Sequence, residues 1–351
     1  MMLQRRWIAL ALVLGMVSLL VGQPTTSAAQ ETQPLTVYTY DSFVSYGAAD
    51  VITRAFEEQT GHNVRFVATA DSRTMLSKLI AERDSGGTSA DAFVGVEVND
   101  LGTARRNDVF QQISTEDVPN LEHVAEDIRF DPENRLIPYE HGFITLVYDS
   151  SQIDPADVPR TFEELTHERY RDSLIVEDPR TSSPGLSFLL WTIAQRGEAG
   201  YIDYWQELMP NVLTITQGWS EAFGLFTDGE APMMVSFSTD HAFDVIVNDS
   251  DKLRVLTLDG QAYRTIFGMG VVRGTDQPQL ARQFLNVVLS ADVQSQLSET
   301  EWMIPASDNA RVRNVWWQNV VVPEDPVRLP SEQVSENLND WVDRWVREAL
   351  Q

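Results

Sequence analysis

The chain contains no cysteine. Disulfides, a thiol nucleophile, cysteine-ligated zinc and a lipid-modified cysteine are therefore excluded. Basic residues are scarce: 26 Lys+Arg stand against 52 Asp+Glu, a formal charge of −26 over 351 residues. Phosphate backbones need basic surfaces, so this balance argues against a general nucleic-acid binder. Histidine is scarce as well. His62, His123, His141, His167 and His241 form no H-E-x-x-H pair and no nucleophile elbow. Neither a P-loop nor a G-x-G-x-x-G turn is present. Asp240-His241 near Ser236 and Ser238 supplies the residue types of a hydrolytic triad without the elbow that would expose a nucleophile. A ferric site would want paired tyrosines, and Phe237 and Phe243 cannot ligate metal. Beyond residue 29 no apolar run is long enough to span a bilayer. Internal repeats and low-complexity tracts are also missing. Acidic residues are so frequent that a neighbouring pair of them carries little information.

What remains is a globular composition, 43% hydrophobic and 9% aromatic. The length exceeds what one hydrophobic core usually supports and points to two lobes. Arg5 and Arg6 precede an apolar run from Trp7 to Val21, followed by the small polar stretch Thr25 to Gln30. These are the three parts of a secretory signal peptide, with cleavage expected after Ala29. Loss of residues 1–29 removes two arginines and no acid, taking the formal charge from −26 to −28. The mature protein is expected to be soluble, exported and, in a bacterium, periplasmic.

Strand and helix patterns alternate along the mature chain. Residues 35–40, 63–68 and 92–96 read as strands, with helices over 51–59 and from 71 onward. Segments 136–139 and 144–148 read as extended pieces around a bend at His141-Gly142. Further strands are expected at 173–176, 212–216, 233–238 and 265–272. Helices are expected at 161–165, 184–195, 201–208, 220–227, 279–289, 291–297 and 331–350, the last amphipathic with Trp341 and Trp345 on one face. This alternation implies a layered α/β sheet.

The most informative motif is DPRTSSPGL, residues 178–186. Hydroxyl residues stand before Pro184, which suits the first position of a helix. Free N–H groups, hydroxyls and the positive helix end would converge there into an anion pocket, or serve as an ordinary cap. Asp71-Ser72 is a second helix start able to offer N–H donors to the same group. Trp219 lies in a glycine turn before a helix, where open α/β folds bind ligands. Tyr40, Tyr46, Phe237, Phe243 and Trp302 stand near strand ends, where flat ring faces suit a heterocycle or a cation.

Taken in order, LTVYTYDSF (35–43), DPRTSSPGL (178–186), GWSEAFGLF (218–226), VSFSTDHAF (235–243) and EWMIP (301–305) resemble the periplasmic thiamine-binding proteins of ABC importers. The resemblance implies a type II periplasmic-binding fold: two α/β lobes joined by crossover strands, with the ligand between them. It implies no catalysis, no cofactor, no metal, a monomer, and a membrane permease as partner. By topology the first lobe takes 35–138 and 262–302, and the second takes 139–261 and 303–351. Residue by residue, Tyr40 and Asp41 would meet the ligand's pyrimidine end. Tyr46 stands where the family often has tryptophan, and Phe237 and Phe243 stand where tyrosines are usual. Trp302 matches the tryptophan that stacks on the ligand, and Trp219 one near the phosphate end. Ser182 and Ser183 match the hydroxyl pair that receives phosphate, and Asp71-Ser72 a backbone contact from the other lobe. The alternatives are a binding protein for another organic cation or phosphorylated small molecule, and an exported hydrolase.

Overall fold

In a computed structural model that describes residues 33–350, the β-forming run LTVYTY becomes strand β1 (Leu35–Tyr40). The expected signal segment 1–29 lies outside the described residues. Helices α1 (Asp41–Ser45) and α2 (Ala48–Thr60), β2 (Val64–Thr69), α3 (Ser72–Asp84), β3 (Ala92–Glu97) and α4 (Leu101–Arg106) follow. The long strand β4 (Ile137–Asp149) then leads into α5 (Phe162–Leu165), β5 (Leu174–Glu177), α6 (Ser183–Leu208), β6 (Val212–Thr216), α7 (Trp219–Thr227), β7 (Met233–Phe237), α8 (Asp240–Val247) and β8 (Leu253–Leu256). The chain returns through β9 (Tyr263–Val271) to α9 (Pro278–Val288), α10 (Ala291–Leu297), β10 (Ile304–Pro305), α11 (Asn314–Trp317) and α12 (Ser331–Glu348).

The strands run in the order β2-β1-β3-β9-β4-β7-β5-β6, with β8 and β10 also paired to β4. Two parallel wings, β2-β1-β3 and β7-β5-β6, are joined through the antiparallel pair β9 and β4. Each wing has its own hydrophobic core. Val37, Phe56, Phe93 and Phe284 belong to the first; Leu146, Trp191, Trp205 and Trp345 belong to the second. Among the described residues β4 and β9 contribute buried side chains to both, and Phe237 of β7 packs against both. Ile137 and Tyr139 pack in the first core and Ile144 and Leu146 in the second, while Ile266 and Tyr263 divide β9 in the same way. Met303 and Ala306 pack in the first core, beyond the residue at which the first lobe was expected to end.

The expected bend at His141-Gly142 is absent: β4 runs straight through it. Glu140, His141 and Gly142 pair with Phe267, Ile266 and Thr265, and the one irregularity falls earlier, between Pro138 and Glu140. Gly142 packs against the end of the Met303 side chain, which an added Cβ would meet at 2.7 Å and would have to displace. Helix α6 joins the two expected helices across Gly197, whose φ of 71° is open to glycine and costly for most other residues. Helices α4 and α8 and strand β8 were not legible as elements in the sequence. Helix α12 buries Trp341 and Trp345 on α6 and also reaches the first lobe, where Arg106 Nη1 donates to the Ser335 carbonyl at 2.8 Å. Among the described residues no helix is long and apolar enough to cross a membrane.

Candidate ligand-binding chamber

Strands β1 and β7 end at Tyr40 and Phe237, and helices α3, α6, α7 and α8 begin at the same edge of the sheet. Open α/β sheets place ligands at such carboxyl ends. Here the ends enclose a chamber with about 690 Å³ of space between protein atoms. Nine of the sequence-predicted residues line it: Tyr40, Tyr46, Asp71, Ser72, Ser183, Trp219, Phe237, Phe243 and Trp302. Asp41 and Ser182 do not.

One side of the chamber is a wall of rings. Trp219 stacks on Phe223 at 4.7 Å between centroids. Tyr46 lies 5.9 Å from Trp219 and 5.8 Å from Phe243, and Phe243 meets Trp302 edge-on at 5.2 Å. Trp302 has φ 57°, a left-handed conformation rare for a bulky residue. Such strain persists only where the surroundings enforce it, and it is concentrated at ligand clamps. The Trp219 indole donates to Ser236 Oγ at 2.7 Å, and Ser236 in turn donates to Asp240. Asp240 lines the chamber, and burial pushes its carboxyl up to about 7. The triad arrangement fails on geometry: His241 Nδ1 contacts the Leu253 carbonyl at 2.7 Å, while Ser236 is engaged by Asp240 and Trp219.

At the start of α6 the two adjacent serines divide their work. Ser182 is fully buried, and its hydroxyl accepts from the Gly185 N–H at 3.3 Å as the helix cap. Ser183 turns its hydroxyl to the chamber, 2.7 Å from Ser72 Oγ of the first lobe. The Ser183 N–H donates to Asp71 Oδ1 at 3.1 Å. An oxygen of the Asp71 carboxyl thus already takes one of the N–H groups at this helix start. Burial raises the Asp71 carboxyl to about 6, against hydrogen bonds from the Ser183 and Arg73 backbone and from the Ser182 hydroxyl that hold it down. Asp41 lies outside the lining and makes a second link between lobes, its Oδ1 accepting from Ser220 Oγ at 2.8 Å. Gly185 has no room for a side chain, since a Cβ would lie 2.3 Å from the Glu177 carbonyl.

Elsewhere in the lining Tyr40, Glu140 and Glu301 converge. Glu140, Asp240 and Glu301, with Phe223 and Phe267, are lining residues that the sequence reading missed. The lining therefore holds four carboxylates, Asp71, Glu140, Asp240 and Glu301, and no Lys, Arg or His. Asp240 and Glu301 stand inside motifs that were legible. The general abundance of acid hid them, because in sequence a buried carboxylate looks like a solvated one.

Against known proteins, residues 88–324 match the bacterial extracellular solute-binding proteins. The thiamine-binding periplasmic protein of Brucella abortus is 34% identical over 325 residues, covering 91% of this chain and 93% of that one. Its namesake from Escherichia coli is 28% identical over 318 residues, 89% and 92% of the two chains. A solved periplasmic thiamin binding protein superposes with a TM-score of 0.81 at 27% identity, over 90% of this chain and 96% of its own. The architecture is that of the type II periplasmic-binding fold.

Proposed function

The chain belongs to the bacterial extracellular solute-binding protein family, and we propose that it captures thiamine in the interlobe chamber and delivers it to the membrane permease of an ABC importer. The observation that carries this reading is the lining: stacked and edge-on rings together with four carboxylates and no basic side chain. Thiamine joins two flat rings, an aminopyrimidine and a cationic thiazolium, through a methylene, and ring faces and buried acid are what such a molecule needs. Relatives bearing the thiamine-binding name over most of their length support the same assignment.

Capture proceeds by hinge closure about β4 and β9, the strands that serve both cores. Ligand that touches rings from both lobes favours the closed arrangement by its differential contacts. The Asp71–Ser183 and Asp41–Ser220 hydrogen bonds hold that arrangement from the protein's side. Chemistry on the ligand is not part of this function: Ser236, the hydroxyl nearest a triad, is tied to Trp219 and Asp240. The mature protein works in the periplasm as a monomer. Isothermal titration calorimetry of the purified mature chain with thiamine and its phosphates is the test. Tight binding of thiamine, with spermidine unable to compete, is expected; no heat with any thiamine form overturns the assignment.

A further inference from the structure

The part of the chamber at Tyr40 holds more hydrogen-bond acceptors than the protein satisfies. Glu140, on β4, is 1% exposed, and its Oε1 lies 3.3 Å from the Tyr40 hydroxyl. That hydroxyl also lies 2.8 Å from Glu301 Oε2 and 2.9 Å from the Tyr139 hydroxyl. A phenol donates one proton, so Tyr40, with Tyr139 also bonded to Glu140, can serve at most one oxygen of each carboxyl. Glu140 Oε2 and Glu301 Oε1 remain shielded from water and without partners, on residues that line the chamber. A buried carboxylate and a half-buried one side by side, with no cation in the lining, do not both stay charged. Burial raises Glu140 well above the usual range, with the Glu301 charge adding to it, and burial raises Glu301 to about 8. The titratable groups facing the pair are Tyr40 from β1 and Tyr139 from β4, both themselves pushed upward by burial.

We propose that Glu140 and Glu301 share one proton and together form the subsite that reads the nitrogen-bearing edge of the ligand's ring. A carboxylic acid presents an O–H donor beside a carbonyl acceptor. An aminopyrimidine presents the complement, an amino N–H beside a ring-nitrogen acceptor, and the second carboxylate takes the remaining amino N–H. Buried polar groups built to pair with a ligand reject an analogue that leaves them unpaired. This inference rests on the thiamine reading and names the residues that select for the aminopyrimidine half.

The test compares thiamine with an N-benzyl thiazolium, which keeps the cation, a flat six-membered ring and the hydroxyethyl tail but carries no ring nitrogen or amino group. Glu301→Leu leaves the ring wall and the acids Asp71 and Asp240 in place, so the contacts both compounds make through the cation persist. Calorimetry is expected to show thiamine affinity falling at least tenfold in Glu301→Leu, with the benzyl compound within about twofold of its wild-type affinity. Glu301→Gln, whose amide also offers donor and acceptor, restores most of the thiamine affinity. Circular dichroism melts confirm that each variant is folded. Equal losses for both ligands, or no loss for either, overturn the subsite. If the wild type ignores thiamine altogether, 4-amino-2-methylpyrimidine is the independent probe. A thermal shift with this fragment in wild type but not in Glu301→Leu keeps the carboxyl pair while the thiamine reading falls; no shift in the wild type removes both.

Discussion

Two acidic groups line the chamber, one at the start of α6 and one at Tyr40, and they differ in what their acids touch. At the start of α6, Asp71 accepts from the Ser183 N–H at 3.1 Å, and Ser72 and Ser183 bond one another across the lobes. There Asp71 is satisfied by the protein, although Glu177 behind the start of α6 keeps both carboxyl oxygens without a partner. At Tyr40, Glu140 and Glu301 keep one oxygen each with no partner. A buried carboxylate without its hydrogen bonds costs stability, so an unsatisfied pair signals an absent partner, whereas a satisfied one signals a latch. The lesson is that acid in a binding chamber has to be sorted by its hydrogen bonds before a ligand is assigned to it.

The strongest way to break the comparison is to remove something both groups depend on. Trp302, held at a left-handed φ of 57°, shares the ring wall with Phe243. Trp302→Ala is expected to weaken thiamine and its phosphates alike by about a hundredfold. A loss confined to one form would tie the ring to one of the two groups instead. Asp240 comes next. Its carboxyl sits near 7 because burial disfavours the charge, above the ordinary 3.8. The folded state therefore holds this proton more firmly than the unfolded one, and the stability it contributes is lost as pH rises from about 4 through about 7. Asp240→Asn cannot ionise and keeps an oxygen for Ser236. Urea unfolding should show the variant gaining on the wild type by on the order of 1 to 3 kcal/mol at pH 8 and by less at pH 5. A gap independent of pH would show that Asp240 stays charged in the fold.

Much of this arrangement was legible because it rests on local signals. The β-formers of Leu35–Tyr40, the Ser-Ser-Pro start of α6 and the glycine turn before Trp219 are short-range patterns, and each formed where expected. Features decided by distant partners were not legible. Gly142 reads as a bend until β9 and Met303 are placed beside it. Glu140 reads as one acid among many until Tyr40, 100 positions away, is found against it. The role of Asp71 was half-visible. The helix start was expected to hold a ligand anion, and tertiary structure supplies a carboxylate of the protein there.

That substitution sharpens the comparison by a smaller effect. A ligand phosphate at the start of α6 has to compete with the Asp71 carboxylate for the Ser183 N–H, and no Lys or Arg in the lining offsets the repulsion. Asp71→Asn keeps the acceptor and removes the charge. Thiamine monophosphate is expected to gain about tenfold over thiamine in this variant, by competition calorimetry. An unchanged ratio would place the phosphate away from α6.

The smallest expected effect separates neighbours. Ser182 caps α6 from a fully buried position, whereas Ser183 faces the chamber. Ser182→Ala leaves the Gly185 N–H without its acceptor and should lower unfolding stability by about 1 kcal/mol, the usual cost of a lost cap. Affinity for thiamine and for its monophosphate should stay within about twofold, because Ser182 lies outside the chamber lining and Asp71 keeps its bond from the Ser183 N–H. Ser183→Ala removes the hydroxyl that meets Ser72 across the lobes, so its cost should fall on binding and closure instead. If Ser182→Ala were to weaken the monophosphate tenfold at unchanged stability, the hydroxyl would belong to the ligand, and the α6 group would no longer be the satisfied one.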